Sequence, residues 1–437
     1  MAAAYDVVVV GAGIGGLTVA ALLAARGLNV CMLERQSQAG GCIARVEFGG
    51  LEFESGMGVY TSFGAGEIYE RIFHELPVEV PEVRVLSRPY VVRLADGTDV
   101  RLLPGDDFFD ELRAAFPECA DDAIAFYRNP APHKLDPISS RFHSFVEIQL
   151  RGFLHCSIDQ CSAVALHAAL ARPRGPLYEI HSGPAAVAER LAESIKRSGG
   201  TVRLNTPVLR LAYDSTGAAM GVDLLSGEQV VAKRAIISNL TIWDTYGKLI
   251  GLNRTPPEIK KVLNTLHGDG AYAVYATIAH AAIARLPSER MLIAARSGEN
   301  DSFTEFTLAV HGRTATLIAA TDVNDWFTYH TSEEDFEESD QAALETFWAK
   351  LHAAVPELGG DIEVIETANP RTYYDQTRRK LGMVLGVQSS LGLQSSQIAS
   401  PETVLPNLFV VGDTVSHRAD VEGVVSAALS LADELTK

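Results

Sequence analysis

Gly11-Ala12-Gly13-Ile14-Gly15-Gly16, with Glu34 placed eighteen residues after its last glycine, decides how this chain of 437 residues folds. The apolar run 6–10 before it reads as a strand, residues 14–26 as a helix stopped by Gly27, and residues 29–33 as a second strand that ends at the acid. In a unit of this spacing each glycine has its own task. Gly11 permits the tight turn, Gly13 lets backbone approach a pyrophosphate, and Gly16 lets helix and strand pack closely. The N–H groups at the start of the helix, around Ile14 and Gly15, present a positive dipole end to phosphates. Glu34, followed by Arg35, stands where a carboxylate accepts hydrogen bonds from adenosine ribose hydroxyls, which disfavours a phosphorylated ribose. A glycine-rich turn alone says little, but here strand, helix, stop, second strand and acid all fall in register.

Residues 7–25 carry no charge, a run long enough to suggest a membrane span on hydropathy alone. Four glycines in its first half, and the acid that follows, make it a buried strand and a buried helix instead. No transmembrane span is expected, and Met1 is followed directly by small residues without a basic leader. With 37 basic and 55 acidic residues the net charge is −18, which argues against nucleic acid as a partner. It also weakens electrostatic docking to anionic lipid and leaves peripheral hydrophobic contact with a membrane open. The five cysteines follow no disulfide framework, which fits a reducing cytoplasm. His155, Cys156, Cys161 and His167 match no familiar zinc spacing, so no metal is expected.

A second glycine pair, Gly40-Gly41, follows a short polar loop and precedes two short strands around Gly49-Gly50. Such a pair lets another stretch of backbone approach a long, extended dinucleotide. Residues 68–175 change character: strand-like runs give way to helical ones (107–115, 120–127, 140–154) without a chemistry-bearing motif. Phe142, Phe145, Val146, Gln149 and Phe153 recur at helical spacing, as expected of a core helix of a second domain. Ser182-Gly183-Pro184 then opens a helix, and strands over 201–205, 208–213, 219–225 and 229–238 return the chain to the first domain. Strands over 271–278, 291–295, 303–310 and 314–321 and a long helix form a second visit to the other domain. Near the end, Phe409-Val410-Val411-Gly412-Asp413 repeats the pattern of buried strand and turn, and Asp420 stands as N-cap of a helix over 421–435.

The expected architecture is therefore α/β: a discontinuous Rossmann-type domain from residues 1–67, 176–253 and 369–437. An α+β substrate domain from 68–175 and 254–368, carrying a mixed or antiparallel sheet, is inserted into it. The terminal Gly412-Asp413 selects the nucleotide as FAD, because a ribityl chain presents hydroxyls that a carboxylate can hold. The helix after it, through Gly423 and Val424, aims a positive dipole end at the flavin.

These residues resemble the FAD-dependent amine-oxidase and phytoene-desaturase superfamily, most closely its bacterial carotenoid desaturase, carotenoid isomerase and retinol saturase branch. The resemblance is carried by residues 5–35, Gly40-Gly41, Phe53-Glu54-Ser55-Gly56, residues 182–208, Ile237-Ser238-Asn239, Asn369-Pro370-Arg371-Thr372 and residues 411–427, somewhat under half of the chain. It implies a flavin domain, an inserted substrate domain and a tunnel between them, with the backbone of Val208 beside the adenine. Many relatives have arginine after the second glycine pair where this chain has Cys42, a position at the pyrophosphate end. The loop after Asp413 holds His417 and Arg418, a more polar floor than a polyene needs.

What the resemblance implies is an FAD-dependent oxidoreductase exchanging a hydride with a largely apolar small molecule, by desaturation, saturation or isomerisation of a polyene or isoprenoid. The cofactor carries the chemistry, so no nucleophile or acid–base pair need stand out. Oxidation of an amine or amino acid is the alternative, with Arg418 or Arg371 holding a carboxylate. An escort-type prenyl-binding protein of the same fold is a further one, but it should have lost the glycine turn or the Gly-Asp. His417, Arg418 and Arg371 are the side chains expected near the flavin.

Overall fold

Valines 7–10 are buried on both faces of the sheet, as a central parallel strand requires. The computed structural model describes residues 3–56, 60–161, 163–296, 302–327, 333–386, 402–416 and 420–437. Strand Ala3–Val10 lies parallel to Val30–Leu33 on one side and to Gln229–Ser238 on the other. Leu408–Val410 pairs, also parallel, with the last residues of Gln229–Ser238, although 170 residues of chain separate Ser238 from Leu408. Thr201–Arg203 closes the edge beside Val30–Leu33, and the antiparallel meander Val208–Tyr213, Ala219–Leu224 completes a seven-stranded sheet.

Helix Ile14–Ala25 is apolar all round and buried from Gly15 to Ala24, because helices Ala185–Arg197 and Val421–Leu435 flank it. The uncharged stretch 7–25 is thus a strand and a helix inside one core. Among the described residues no helix is long and apolar enough to cross a membrane.

The second sheet also has seven strands, in the order Ile362–Ala368, Gly270–Ile278, Thr314–Thr321, Glu305–His311, Arg290–Ala294, Val91–Arg93, Asp99–Arg101. All neighbours run antiparallel except Arg290–Ala294 with Val91–Arg93. Helix Ser140–Leu154 covers one face of it. Phe142, Phe145, Val146 and Gln149 turn away into an aromatic cluster with Phe116, Phe126 and Tyr127. Gly152 brings the helix against the strand: a Cβ there would stand 2.5 Å from the Leu292 side chain. Helix Ile68–Glu75, expected at the start of the second domain, instead buries Tyr69, Ile72 and Phe73 in the core of the first. Its apolar face packs with helices Ile14–Ala25 and Val421–Leu435, so the first core continues past residue 68 to Leu76 and Val78.

Where the two sheets meet, the small ribbon Val83–Val85 with Tyr178–Ile180 brings charged groups together. Arg290, 1% exposed, donates from Nη2 to Glu179 Oε1 at 2.8 Å, and His311 Nδ1 lies 2.8 Å from the same oxygen. Arg84 holds the other Glu179 oxygen. Glu54 is 4% exposed; its Oε1 is 3.6 Å from His311, and its Oε2 has no hydrogen-bond partner among the described residues. Glu54, Glu179 and His311 offer ligand atoms within 4.8 Å of one another, but the two guanidinium groups already supply the balancing charge.

Burial pushes the Glu54 carboxyl up to about 7, against the pull of Arg290 and His311. Burial would also raise Glu179, yet hydrogen bonds from His311 and Arg84, with the Arg290 charge, bring it down to about 2. The bond to Glu179 raises His311, with burial opposing. An unfolded glutamate loses its proton near ~4.3, so between there and about 7 the folded chain binds the extra proton and stability falls as pH rises. His311 acts in the same direction above its unfolded value. The Glu179 contribution is present above its own unfolded value and fades as pH falls toward 2. Glu54→Gln should therefore flatten the decline, gaining about 2 kcal/mol on the wild type between about pH 5 and 8. Thermal midpoints of both proteins across that range check it; parallel curves would refute the assignment.

Candidate active site

Parallel strands end at one edge, and there Val10 passes into Gly11, Leu33 into Glu34, Ser238 into Asn239 and Val410 into Val411-Gly412-Asp413. Glu34 and Asp413 follow strands three places apart, a span of roughly 14 Å at ~4.8 Å per strand. Asn239 joins the middle of this edge. Its backbone N–H donates to Val10 O and its Nδ2 to Val411 O, both at 2.8 Å.

Gly11 makes its turn at φ +94°, open to glycine at little cost. Behind the turn, a Cβ on Gly16 would stand 2.4 Å from Gly11 O and one on Gly13 2.6 Å from Asn239 Oδ1. The Ile14–Ala25 helix begins with no side-chain cap, so its first N–H groups are left for a ligand. Glu34 Oε2 accepts from the Ala12 N–H at 2.7 Å and Oε1 from the Gln36 N–H at 2.8 Å, which fixes the carboxylate beside the turn. The second glycine pair folds back over it: Gly40 pairs with Gly13, and a Cβ on Gly41 would lie 3.2 Å from Gly13 Cα.

A cavity of about 910 Å³ opens over this edge. Gly11, Gly13, Ile14, Gly15, Glu34, Arg35, Gly40, Gly41, Cys42, Val208, Gly412, Asp413 and Val424 all line it. Gly16 stands behind it as the packing glycine, and Gly423 begins the next helix, its N–H donating to the Asp420 cap at 2.8 Å. The cavity continues between helix Ser140–Leu154 and the second sheet, past Tyr90, Ile148, Phe153, Leu292, Phe306 and Ile318.

Of the side chains expected near the far end, Arg371 is a correction. It is exposed, its guanidinium stacks on Phe336 at 4.1 Å, and it does not line the cavity, because Tyr373, Gln376 and Thr377 on the other face of helix Pro370–Thr377 do. His417 and Arg418 lie outside the described residues. Two lining groups escaped the sequence reading. Arg379 grips Asp413, donating from Nη1 to Oδ1 at 3.2 Å and from Nη2 to Oδ2, yet in the run Arg378-Arg379-Lys380 nothing distinguishes it. His155 closes helix Ser140–Leu154 at φ 54°; burial keeps its imidazole below the ordinary value, against the pull of Asp420 and Asp413.

A glycine-turn sheet edge, a ribose-placed acid, a second glycine pair and a Gly-Asp on a neighbouring strand define a two-domain, dinucleotide-binding flavoprotein fold. The chain belongs to the flavin-containing amine oxidoreductase family, whose model matches residues 14–436, and is an FAD-dependent oxidoreductase. It is 23% identical to all-trans-retinol 13,14-reductase of Homo sapiens over 524 residues, covering 99% of this chain and 85% of that one. It is 25% identical to the chloroplastic prolycopene isomerase of Daucus carota over 304 residues, 58% of this chain and 49% of the relative. Among solved structures, an oxidoreductase of Methanosarcina mazei superposes with a TM-score of 0.70 at 18% identity, over 98% of this chain and 99% of the other. Putrescine oxidase bound to putrescine gives 0.63 at 17%, over 99% and 98%. These two show the shared fold.

Glu34→Ala removes a carboxylate whose charge-assisted hydrogen bonds are worth ~1.5–3 kcal/mol each. The variant should release FAD at least about tenfold more readily than wild type. The ratio of flavin to protein absorbance after exhaustive dialysis checks this; an unchanged ratio would remove Glu34 from the cofactor site.

Proposed function

We propose that this oxidoreductase exchanges a hydride with a largely apolar, polyene- or isoprenoid-like small molecule, in desaturation, saturation or double-bond isomerisation. One observation carries the reading: beyond Asp413 the cavity is walled mainly by aromatic and aliphatic side chains from both the helix layer and the second sheet, with the pair Arg151 and Glu305 at its far end. Such walls reward an extended hydrocarbon with about 25 cal/mol for each Å² removed from water. The two named relatives, a retinol reductase and a prolycopene isomerase, support the same substrate class.

FAD, when bound, supplies the hydride exchange. The residues of the chain bind and orient. Glu34 accepts from the ribose hydroxyls, the N–H groups after Gly13 and the turn at Gly40-Gly41 face the phosphates, and Val208 flanks the adenine. Asp413 meets the ribityl chain, and the N-terminus of helix Val421–Leu435 faces the flavin, where its dipole favours negative charge. Every one of these groups lines the cavity or borders it. The apolar part of the wall excludes water from the reacting carbons, and His155, whose imidazole burial keeps below its ordinary value, lines the cavity.

Amine oxidation draws less from this geometry. Of its two candidate carboxylate-binding arginines, Arg371 faces outward, stacked on Phe336, and Arg418 lies outside the described residues. The two readings separate in one experiment. Anaerobically reduced protein mixed with an apolar polyene should regain its yellow absorbance, or oxidised protein should bleach with the corresponding saturated isoprenoid. Amines and amino acids should give neither bleaching nor peroxide; peroxide release with an amine, and silence with every polyene, would replace this function by the other.

A further inference from the structure

We propose that Arg379 is the cation that receives the cofactor's pyrophosphate in this chain, with Asp413 aiming its guanidinium across the cavity; this rests on FAD occupying the cavity as described above. A pyrophosphate brings two negative charges to a chain of net charge −18, at an edge already carrying Glu34 and Asp413. A helix terminus offsets about half an elementary charge, which leaves most of that charge to be met by other donors at the cavity.

Four arginines line the cavity among the described residues. Arg35 donates to the Asp375 carbonyl at 3.5 Å and to the Gln376 carbonyl. Arg45 is tied at the surface to Glu52 at 2.9 Å and Glu189 at 3.4 Å. Arg151 stands at the far end, 3.7 Å from Glu305. Arg379 is also paired, but its carboxylate partner, Asp413, lines the cavity beside Gly412, and its side chain is 13% exposed.

Its position fits the anion. The thiol of Cys42, which directly follows Gly40-Gly41, lies against the guanidinium, and that glycine pair is itself packed on Gly13. On the other side are both oxygens of Asp413. Arg379 therefore spans the gap between the phosphate-approach glycines and the acid expected to meet the ribityl chain. Nε donates to Met383 O at 2.7 Å, which anchors the stem and leaves the Nη donors for Asp413 and the cavity. With Asp413 on its two Nη atoms and Met383 O on Nε, the guanidinium keeps one further N–H on each Nη, and these are the donors it has for a phosphate oxygen.

The backbone that presents Arg379 is strained. Arg378 has φ 55° and Leu381 φ 51°, left-handed conformations at two non-glycine residues within four positions. Gly382 completes the turn at φ 67°, where a Cβ would collide with Pro370 O at 1.9 Å. Strain of this kind persists where surrounding structure over-determines it, commonly at ligand clamps.

Deflavinated full-length protein, titrated with FAD and with ADP, tests the proposal. ADP carries the pyrophosphate and adenosine but no ribityl chain or flavin. Arg379→Ala should weaken FAD and ADP by a similar factor, about ten- to a hundredfold, with Arg379→Lys recovering part of the loss. The apoprotein melting temperatures of the variants should stay close to wild type, which separates lost binding from lost folding; if Arg379→Ala does not fold, Arg379→Gln takes its place. FAD affinity unchanged in the variant, or FAD weakened with ADP untouched, would overturn the assignment. Wild-type protein that binds neither ligand would instead sink the cofactor placement on which it rests.

Discussion

Four parallel strand ends at one edge of a single sheet are the constraint from which the rest follows. Parallel pairing fixes direction, so the residues after Leu408–Val410, Gln229–Ser238, Ala3–Val10 and Val30–Leu33 must emerge on the same side. Asn239, bonded to Val10 O and Val411 O, holds the three central ends in register. That edge carries an acid at either limit, Glu34 and Asp413, with glycine backbone between, the pattern an extended dinucleotide would need. The same arrangement explains why long segments can be inserted between the strands: an insertion that leaves and returns at a loop does not disturb the ladder.

The second sheet acts through where it is placed. Its strands Arg290–Ala294 and Glu305–His311 end in a cluster of buried charge, with Arg290 and His311 both on Glu179 of the small ribbon. Breaking one member of such a cluster leaves another uncompensated, which makes the relative setting of the two sheets specific. The cavity wall inherits that setting, because Leu292 and Phe306 come from the strands that also carry Arg290 and His311. Substrate chemistry in this fold is thus a property of a packing joint, not of a motif.

An acidic chain that binds an anionic coenzyme must supply local positive potential by geometry. Here an uncapped helix start, backbone N–H groups at two glycine turns, and one half-buried arginine beside a left-handed turn line the cavity. Each alone is a fraction of a charge or a single cation. Gathered in a site shielded from solvent, they act with little screening.

Much of this was legible in the sequence where local rules decide. The turn at Gly11, the stop at Gly27, the Asp420 cap and the helices over 107–115, 140–154 and 421–435 follow from periodicity, capping and glycine conformation, which act over a few residues. Glu34 was legible because its distance from the turn is set by one helix and one strand. The setting of Ile68–Glu75 in the first core, the outward turn of Arg371, the pairing of Arg379 with Asp413 and the charged joint were not. Each depends on which surfaces meet across tens to hundreds of residues. In Arg371 and Arg379 the chain presents the same side chain eight positions apart, yet one stacks on Phe336 at the surface and the other, beyond the left-handed turn at Arg378, pairs with Asp413 at the cavity. Backbone direction after a turn is a global outcome, and residue type alone does not encode it.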